Sequence, residues 1–200
     1  MQIKNTPQRF GAIAGLTHWV TAAAFILSYP VVYYVIWVLE ADRKNPLFLP
    51  VLNVHWVLGM LVGVLVIPRL IWRLTNTEPE PVPGTPMEHL LSKLAHWGLY
   101  GLMITMPLTG YLGTGGQAPY DLYLFTMPKF PQTALFQWLE IDWKTFEPVM
   151  DAFHHFVGKW VAWTVVALHI AAAIYHHRVR RDMVLVRMLP PGMATQQDKP

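Results

Sequence analysis

Four long stretches of this chain contain no Asp, Glu, Lys or Arg: Phe10 to Leu39, Asn45 to Pro68, Leu94 to Tyr120 and Trp160 to His177. Segregation on this scale leaves few folds open. About 20 mostly apolar residues cross the hydrocarbon of a bilayer as an α-helix. In lipid such a segment has to satisfy its own backbone hydrogen bonds. The pattern predicts an all-α integral-membrane protein, a bundle of four transmembrane helices at about 13–38, 52–74, 90–113 and 150–177. Pro30 is expected to bend or end the first of them. The spans use so much of the 200 residues that we read one membrane domain, 1–190, with a tail, 191–200, expected to be disordered after Pro190-Pro191. Lys4 and Arg9 ahead of an apolar run, with Ala22 to Ala24 inside it, imitate a secretion signal. Secretory apolar cores are only about 7–15 residues long, whereas this run continues past Trp37, so it is read as a retained span.

Charge sets the topology. With four spans, both termini share one side, and that side collects Lys4, Arg9, Arg69, Arg73, Lys93, Arg178, Arg180, Arg181, Arg187 and Lys199, ten of the fifteen basic residues. The other side has Arg43, Lys44, Lys129, Lys144 and Lys159 against seven acids: Glu40, Asp42, Asp121, Glu140, Asp142, Glu147 and Asp151. Basic residues accumulate on the cytoplasmic side, so both termini of this multi-pass protein are expected in the cytoplasm, with the two outer loops facing the periplasm or its equivalent. The net charge of +3 is no nucleic-acid footprint. The inner loop Glu78 to Gly84 is proline-rich and expected to be extended. The outer segment 114–149 is too long to be slack, and is expected to be packed and functional.

Histidines inside the apolar runs carry the chemistry. An ionisable group within a span is costly and marks function by default. His18 lies near the cytoplasmic end of helix 1, His55 near the outer end of helix 2, His155 at the outer start of helix 4, and His169 deeper along that helix. His155 and His169 are 14 residues apart, which on a regular α-helix is roughly 21 Å of rise and nearly one face. Depth then pairs His18 with His169 and His55 with His155. His154 competes with His155, being about 60° rather than about 40° off the face of His169. With no cysteine, iron–sulfur clusters and thioether-tethered haem are excluded, so the reading is two b-type haems, each held by two histidines. Small residues beside these ligands, Gly15, Ala22, Gly59, Gly63, Gly158, Ala172 and Ala173, would let a flat ring approach the backbone. Arg69, 14 residues from His55, and Arg73 one turn on, are candidate partners for haem carboxylates at the inner site. His96 is a candidate carboxylate contact or a plain interfacial group. Lys159 either snorkels outward or pairs with a carboxylate of the outer haem.

Taken in order, these residues resemble the bacterial cytochrome b561 family, which includes cytochrome b subunits of nickel–iron hydrogenases and superoxide oxidase. The resemblance runs through Thr17-His18-Trp19, His55 with Arg69 and Arg73, and Leu94-Ala95-His96 with Pro107 and Gly110. It continues through Thr126-Met127-Pro128, His155 with His169, Ala171 to Ala173 before His176-His177, and Leu185 to Pro190. It implies haem ligation by His18, His55, His155 and His169, and ubiquinone or another quinone as substrate near the cytoplasmic haem, at His177. The chain departs from superoxide oxidase in its acidic inner loop, with Glu78 and Glu80, and in its acid-rich outer face, which would repel an anion.

The sequence therefore reads as a di-haem cytochrome b that moves electrons between a periplasmic redox partner, such as a basic c-type cytochrome, and the quinone pool. A superoxide:quinone oxidoreductase is the alternative, and a cytochrome b anchor subunit of a larger dehydrogenase or hydrogenase a second one. A non-redox metal transporter fits worst, because the spans lack mid-depth acids.

Overall fold

A computed structural model describes residues 2–115 and 120–189. The tail expected to be disordered lies outside the described residues. Helix α1, Ala12–Tyr34, runs through Pro30 without ending there and continues into a π-turn, Val35–Leu39, and a 3-10 turn, Glu40–Asp42. Helix α2 spans Phe48–Thr75 and starts earlier than its apolar pattern suggests. Pro50 falls in its first turn, where a missing N–H costs nothing. The Asn45 side chain and carbonyl accept from the amides of Leu47 and Phe48 at 3.0 and 2.9 Å, which fixes the entry.

Helix α3, Pro86–Gly113, opens on a proline at its first position. Thr85 and Glu88 form a capping box: the Glu88 carboxylate accepts from the Thr85 amide at 2.7 Å, and the Thr85 hydroxyl accepts from the Glu88 amide at 3.3 Å. The remaining long segment joins α5, Trp143–Phe156, through a π-turn at Val157–Ala162 to α6, Trp163–Tyr175, and a last π-turn at His176–Arg180. It begins seven residues before the expected start at 150, because Asp142 caps the Lys144 amide at 3.2 Å. Arg181, in the left-handed conformation, ends it.

Three stretches are long and apolar enough to cross a membrane: Ala12–Asp42, Phe48–Thr75 and Trp143–Arg180. Fewer than a fifth of the residues in their most apolar windows are buried inside the protein, so most of that apolar surface faces outward, as a lipid solvent requires. Helix α3 matches α2 in length but carries Glu88, His89, Ser92, Lys93 and His96 in its first half, and falls outside that class.

Between α3 and α5 the described residues resume at Tyr120. Strands β1, Tyr120–Asp121, and β2, Thr126–Met127, form an antiparallel hairpin. The short helix α4, Ala134–Trp138, follows. Tyr120, Leu122 and Phe130 are buried here.

The chain divides into two compact units, and each takes a part of every long helix. One comprises Met1–Val20, Leu65–Leu102 and Val161–Pro200; the other comprises Thr21–Val64 and Met103–Trp160. We call them the first and second units. In the first, three segments outside the α-helices are tied together. The Glu80 amide donates to Pro7 at 2.8 Å, the Phe10 amide to Arg187 at 3.3 Å, and the guanidiniums of Arg9 and Arg187 to the carbonyls of Leu189 and Glu80 at 2.8 and 2.5 Å.

Candidate functional site

In the second unit the imidazole of His55, on α2, faces that of His154, on α5, with ring centroids 6.4 Å apart. Both rings have their Nδ1 side engaged. His55 Nδ1 donates to the Ser28 carbonyl at 3.2 Å. The Thr109 hydroxyl spends its hydrogen on the Thr105 carbonyl at 2.7 Å, so its oxygen accepts from His154 Nδ1 at 3.1 Å. A fixed Nδ1–H leaves Nε2 as the free lone pair, the outer-shell arrangement that orients metal-binding histidines. The two rings line a cavity of about 170 Å³ together with Tyr29, Gly59, Pro107 and Gly110. That is many times the roughly 10–15 Å³ one water needs, and its wall is mostly apolar.

The glycines of this unit have distinct jobs. A Cβ at Gly59 would meet nothing within 4 Å, so its helix face is open to the cavity. A Cβ at Gly110 would stand 3.0 Å from the His154 ring, so the missing side chain is what lets that imidazole lie against α3. Around the same cavity, Tyr111 donates to Pro128 at 3.1 Å and Tyr120 to Tyr111 at 3.4 Å. Burial pushes the Tyr120 phenol up to about 12, so it remains a donor at every physiological pH.

The first unit repeats the histidine theme. His18, on α1, and His169, on α6, have ring centroids 6.2 Å apart, and His96, on α3, stands 5.7 Å from His169. Arg69 and Arg73 extend over the Tyr100 ring at 5.9 and 5.7 Å. Arg73 is also paired with Glu78 at 2.7 Å. Arg69 is not so satisfied: its Nε is buried and has no hydrogen-bond partner. Such an orphan donor invites an anionic oxygen.

His18 and His169 thus lie together with Arg69 and Arg73 in one unit, and His55 lies in the other. His155 lines the same cavity as His55 but is the more exposed of the two neighbours, His154 and His155. Its side chain is 60% exposed, and Nε2 is 3.4 Å from Asp151 one turn earlier. His177 sits half-buried in the last π-turn. Its neighbour His176 makes the stronger contact, Nδ1 to Asp182 at 2.6 Å. The spacing argument favours His155 over His154 only on the assumption of 3.6 residues per turn throughout. The π-turn Val157–Ala162 takes about one residue more per turn and removes that premise. Lys129 was not singled out by sequence, because nothing in its local sequence marks it as buried.

Two imidazoles sharing one metal at about 2 Å per nitrogen, each nitrogen about 1 Å from its ring centroid, have centroids about 6 Å apart. Both pairs meet this, and so do His96 with His169 at 5.7 Å and His154 with His155 at 6.3 Å, so the spacing permits a shared metal without choosing the ligands. Among the described residues no cluster of three or more His, Cys, Asp or Glu could hold a metal ion on its own. Paired imidazoles with an apolar cavity and an open glycine face would suit a metal carried by a flat macrocycle, which would need only two ligands from the protein. The residues fit a b-type haem.

Comparison with known proteins agrees with that chemistry. The prokaryotic cytochrome b561 family matches residues 9–191. Cytochrome b561 homolog 2 of Escherichia coli (strain K12) is 27% identical over 197 residues, covering 94% of this chain and 95% of the relative. Cytochrome b561 homolog 1 of the same organism is 23% identical over 189 residues, 91% of this chain and 97% of the relative. A probable superoxide oxidase, CybB, of Yersinia pestis is 29% identical over 140 residues, 68% of this chain and 73% of the relative.

Proposed function

This chain belongs to the prokaryotic cytochrome b561 family, and on that premise we propose that it holds two b-type haems and carries electrons between a periplasmic redox partner and the quinone pool. Membrane electron transfer with haem b is what the family implies. The number of haems, the partner and the quinone are our reading. So are a four-span topology with cytoplasmic termini, and placement in the bacterial inner membrane.

The observation that carries the reading is the facing pair His55 and His154 across an apolar cavity with an open glycine face. His18 and His169 form the second pair. We assign the outer haem to His55 with His154. His155 is the second candidate, because it also lines the cavity. When bound, haem iron supplies reversible one-electron chemistry. The chain's own contribution is placement. Ser28 and Thr109 fix which imidazole nitrogen is free, Gly59 and Gly110 clear the space, and the apolar wall excludes water. At the inner pair, Arg69 offers its unpartnered Nε to a carboxylate, while Arg73 is already shared with Glu78. Quinone is proposed to approach the first unit near His177.

A pyridine-haemochrome assay on purified protein tests the core of this. We expect about two haems per chain, extracted intact by acidified solvent because no cysteine tethers them; one or none would reject the reading. For the quinone, His177→Ala should slow quinone-linked haem oxidation with an unchanged haem spectrum, and unaltered kinetics would move the site elsewhere.

Superoxide oxidation is the second reading, favoured by the likeness to the probable superoxide oxidase. The excess of acids over bases assigned to the outer side argues against an anionic substrate. Rapid superoxide consumption by the unmodified protein, with no exchange with any basic cytochrome, would reverse this order.

A further inference from the structure

Among the described residues Lys129 is the one charged residue that is buried, with 7% of its surface exposed. It does not snorkel outward. Its Nζ donates to the Gly115 carbonyl at 2.6 Å and lies 5.3 Å from the centre of the Trp56 ring and 5.7 Å from that of Tyr120. Both rings line the cavity that His55 faces, and Trp56 follows His55 directly. The hold on this side chain is specific. The Lys129 amide donates to the Gln132 side chain at 3.0 Å, and Tyr111 donates to the carbonyl of the preceding Pro128. No carboxylate among the described residues pairs with it.

Burying an ammonium without a counter-ion is costly. A methionine would fill the same space without that cost. Two aromatic faces and one carbonyl are an arrangement that stabilises a cation in particular. Burial does push the Lys129 ammonium below its ordinary value, which shows the expense but supplies no purpose. The purpose suggested by the geometry is electrostatic. A fixed positive charge in a low-dielectric wall acts over a longer range than one in water, and local charge is one of the levers a protein has on a redox centre.

We infer that Lys129 is a positioning residue for the outer site: its buried ammonium, held behind Trp56 and Tyr120, raises the reduction potential of the haem held at His55. The sign follows from charge. Reduction adds one electron to the centre, and a nearby fixed cation stabilises the more negative state. An outer centre made easier to reduce is a better acceptor from a partner at that face. The inner centre, in the other unit, has its own cations in Arg69 and Arg73.

This inference rests on the proposed haem at His55, and the two fail separately. The haem reading is tested by two bis-histidine spectra in the unmodified protein; the Lys129 role is tested by where their potentials lie. The experiment is a spectroscopic redox titration of the purified protein and three variants. Lys129→Met removes the charge and keeps the stem. Lys129→Gln also removes it but retains a donor for the Gly115 carbonyl, so it carries the test if the methionine variant fails to fold. Lys129→Arg keeps the charge. We expect the neutral variants to retain both spectra and to lower one midpoint potential well beyond the reproducibility of the titration, leaving the other in place. It should be the component that His55→Ala removes, and Lys129→Arg should shift it far less. Unchanged potentials in the neutral variants would overturn the inference. So would an equal shift in Lys129→Arg, which would mean that packing and not charge is at work. A chain that takes up haem only with Lys or Arg at this position would overturn it as well, by making Lys129 a requirement of assembly.

Discussion

His55 and His154 each commit one ring nitrogen to a neighbour of fixed position, Ser28 and Thr109. Two predictions belong at this scale. The first concerns which rings bind. His55→Ala should remove one low-spin haem signal and spare the one that His18→Ala removes, halving the haem content. His154→Ala should reproduce the loss caused by His55→Ala, while His155→Ala, which takes an exposed ring away from Asp151, should leave the spectrum close to that of the parent. Absorption and paramagnetic resonance spectra of the four variants decide it, and the opposite ranking of His154 and His155 would restore the spacing-based pairing. The second concerns Gly11. A Cβ there would overlap the Ile3 carbonyl oxygen and the Lys4 carbonyl group. These are backbone atoms that cannot rotate aside. Gly11→Ala should therefore displace the N-terminal segment at a cost of about 1–3 kcal/mol, seen as a lower thermal midpoint, without loss of either haem spectrum.

Among the long helices, α3 falls outside the membrane-capable class and opens on a capping box. Glu88 is held below the usual carboxylate range, first by the Thr85 amide, then by the Thr85 hydroxyl, with Arg180 adding its charge at 2.7 Å. A group whose folded value is depressed contributes stability above its ordinary value and loses it as pH falls through the folded one. Glu88→Gln should thus lower the thermal midpoint near neutral pH, and the two proteins should converge in acid; a difference independent of pH would mean that the carboxylate charge is not what matters. The apolar pattern starts this helix at about 90 and misses the cap, although Thr85-Pro86-Met87-Glu88 has the capping-box pattern with proline at the first position. The apolar runs located the long helices, since lipid leaves little choice about what a charge-free stretch does. The spans could not reveal where the helix repeat changes. A π-turn is a local packing compromise with no compositional mark, and the one at Val157–Ala162 removes the regular spacing on which the choice between His154 and His155 rested. The ring pair His18 and His169 was readable from depth alone, because a partner near the matching end of another span is a coarse requirement. The contact between Lys129 and Trp56 was not, because it joins residues far apart in sequence through a loop of irregular structure.

For the whole molecule the distribution of charge outweighs its sum. The basic excess falls on the side assigned to the termini, and the acids gather on the other, most densely from Glu140 to Asp151. Exposed charges of this kind contribute little to stability. Their effect is on the rate at which a charged partner arrives, and salt screens it with a Debye length of about 10 Å at 0.1 M. Electron exchange with a basic c-type cytochrome should therefore slow as salt rises. Removing Glu140, Asp142 and Glu147 together should slow it severalfold at low salt and hardly at all at high salt. The choice of substitution matters. Asp142 caps the first turn of α5 by accepting from the Lys144 amide, so alanine would fray the helix that carries His154 and confound charge with structure. Asparagine keeps the cap, and the variant should be Glu140→Gln, Asp142→Asn and Glu147→Gln. Stopped-flow mixing with the cytochrome over a range of ionic strength gives the slope. Attraction predicts a rate that falls with salt in the parent and flattens in the variant. An anionic reactant such as superoxide predicts the reverse, a parent accelerated by salt and a variant faster than the parent at low salt. A parent whose rate with the basic cytochrome ignores salt would detach the acidic segment from partner choice altogether.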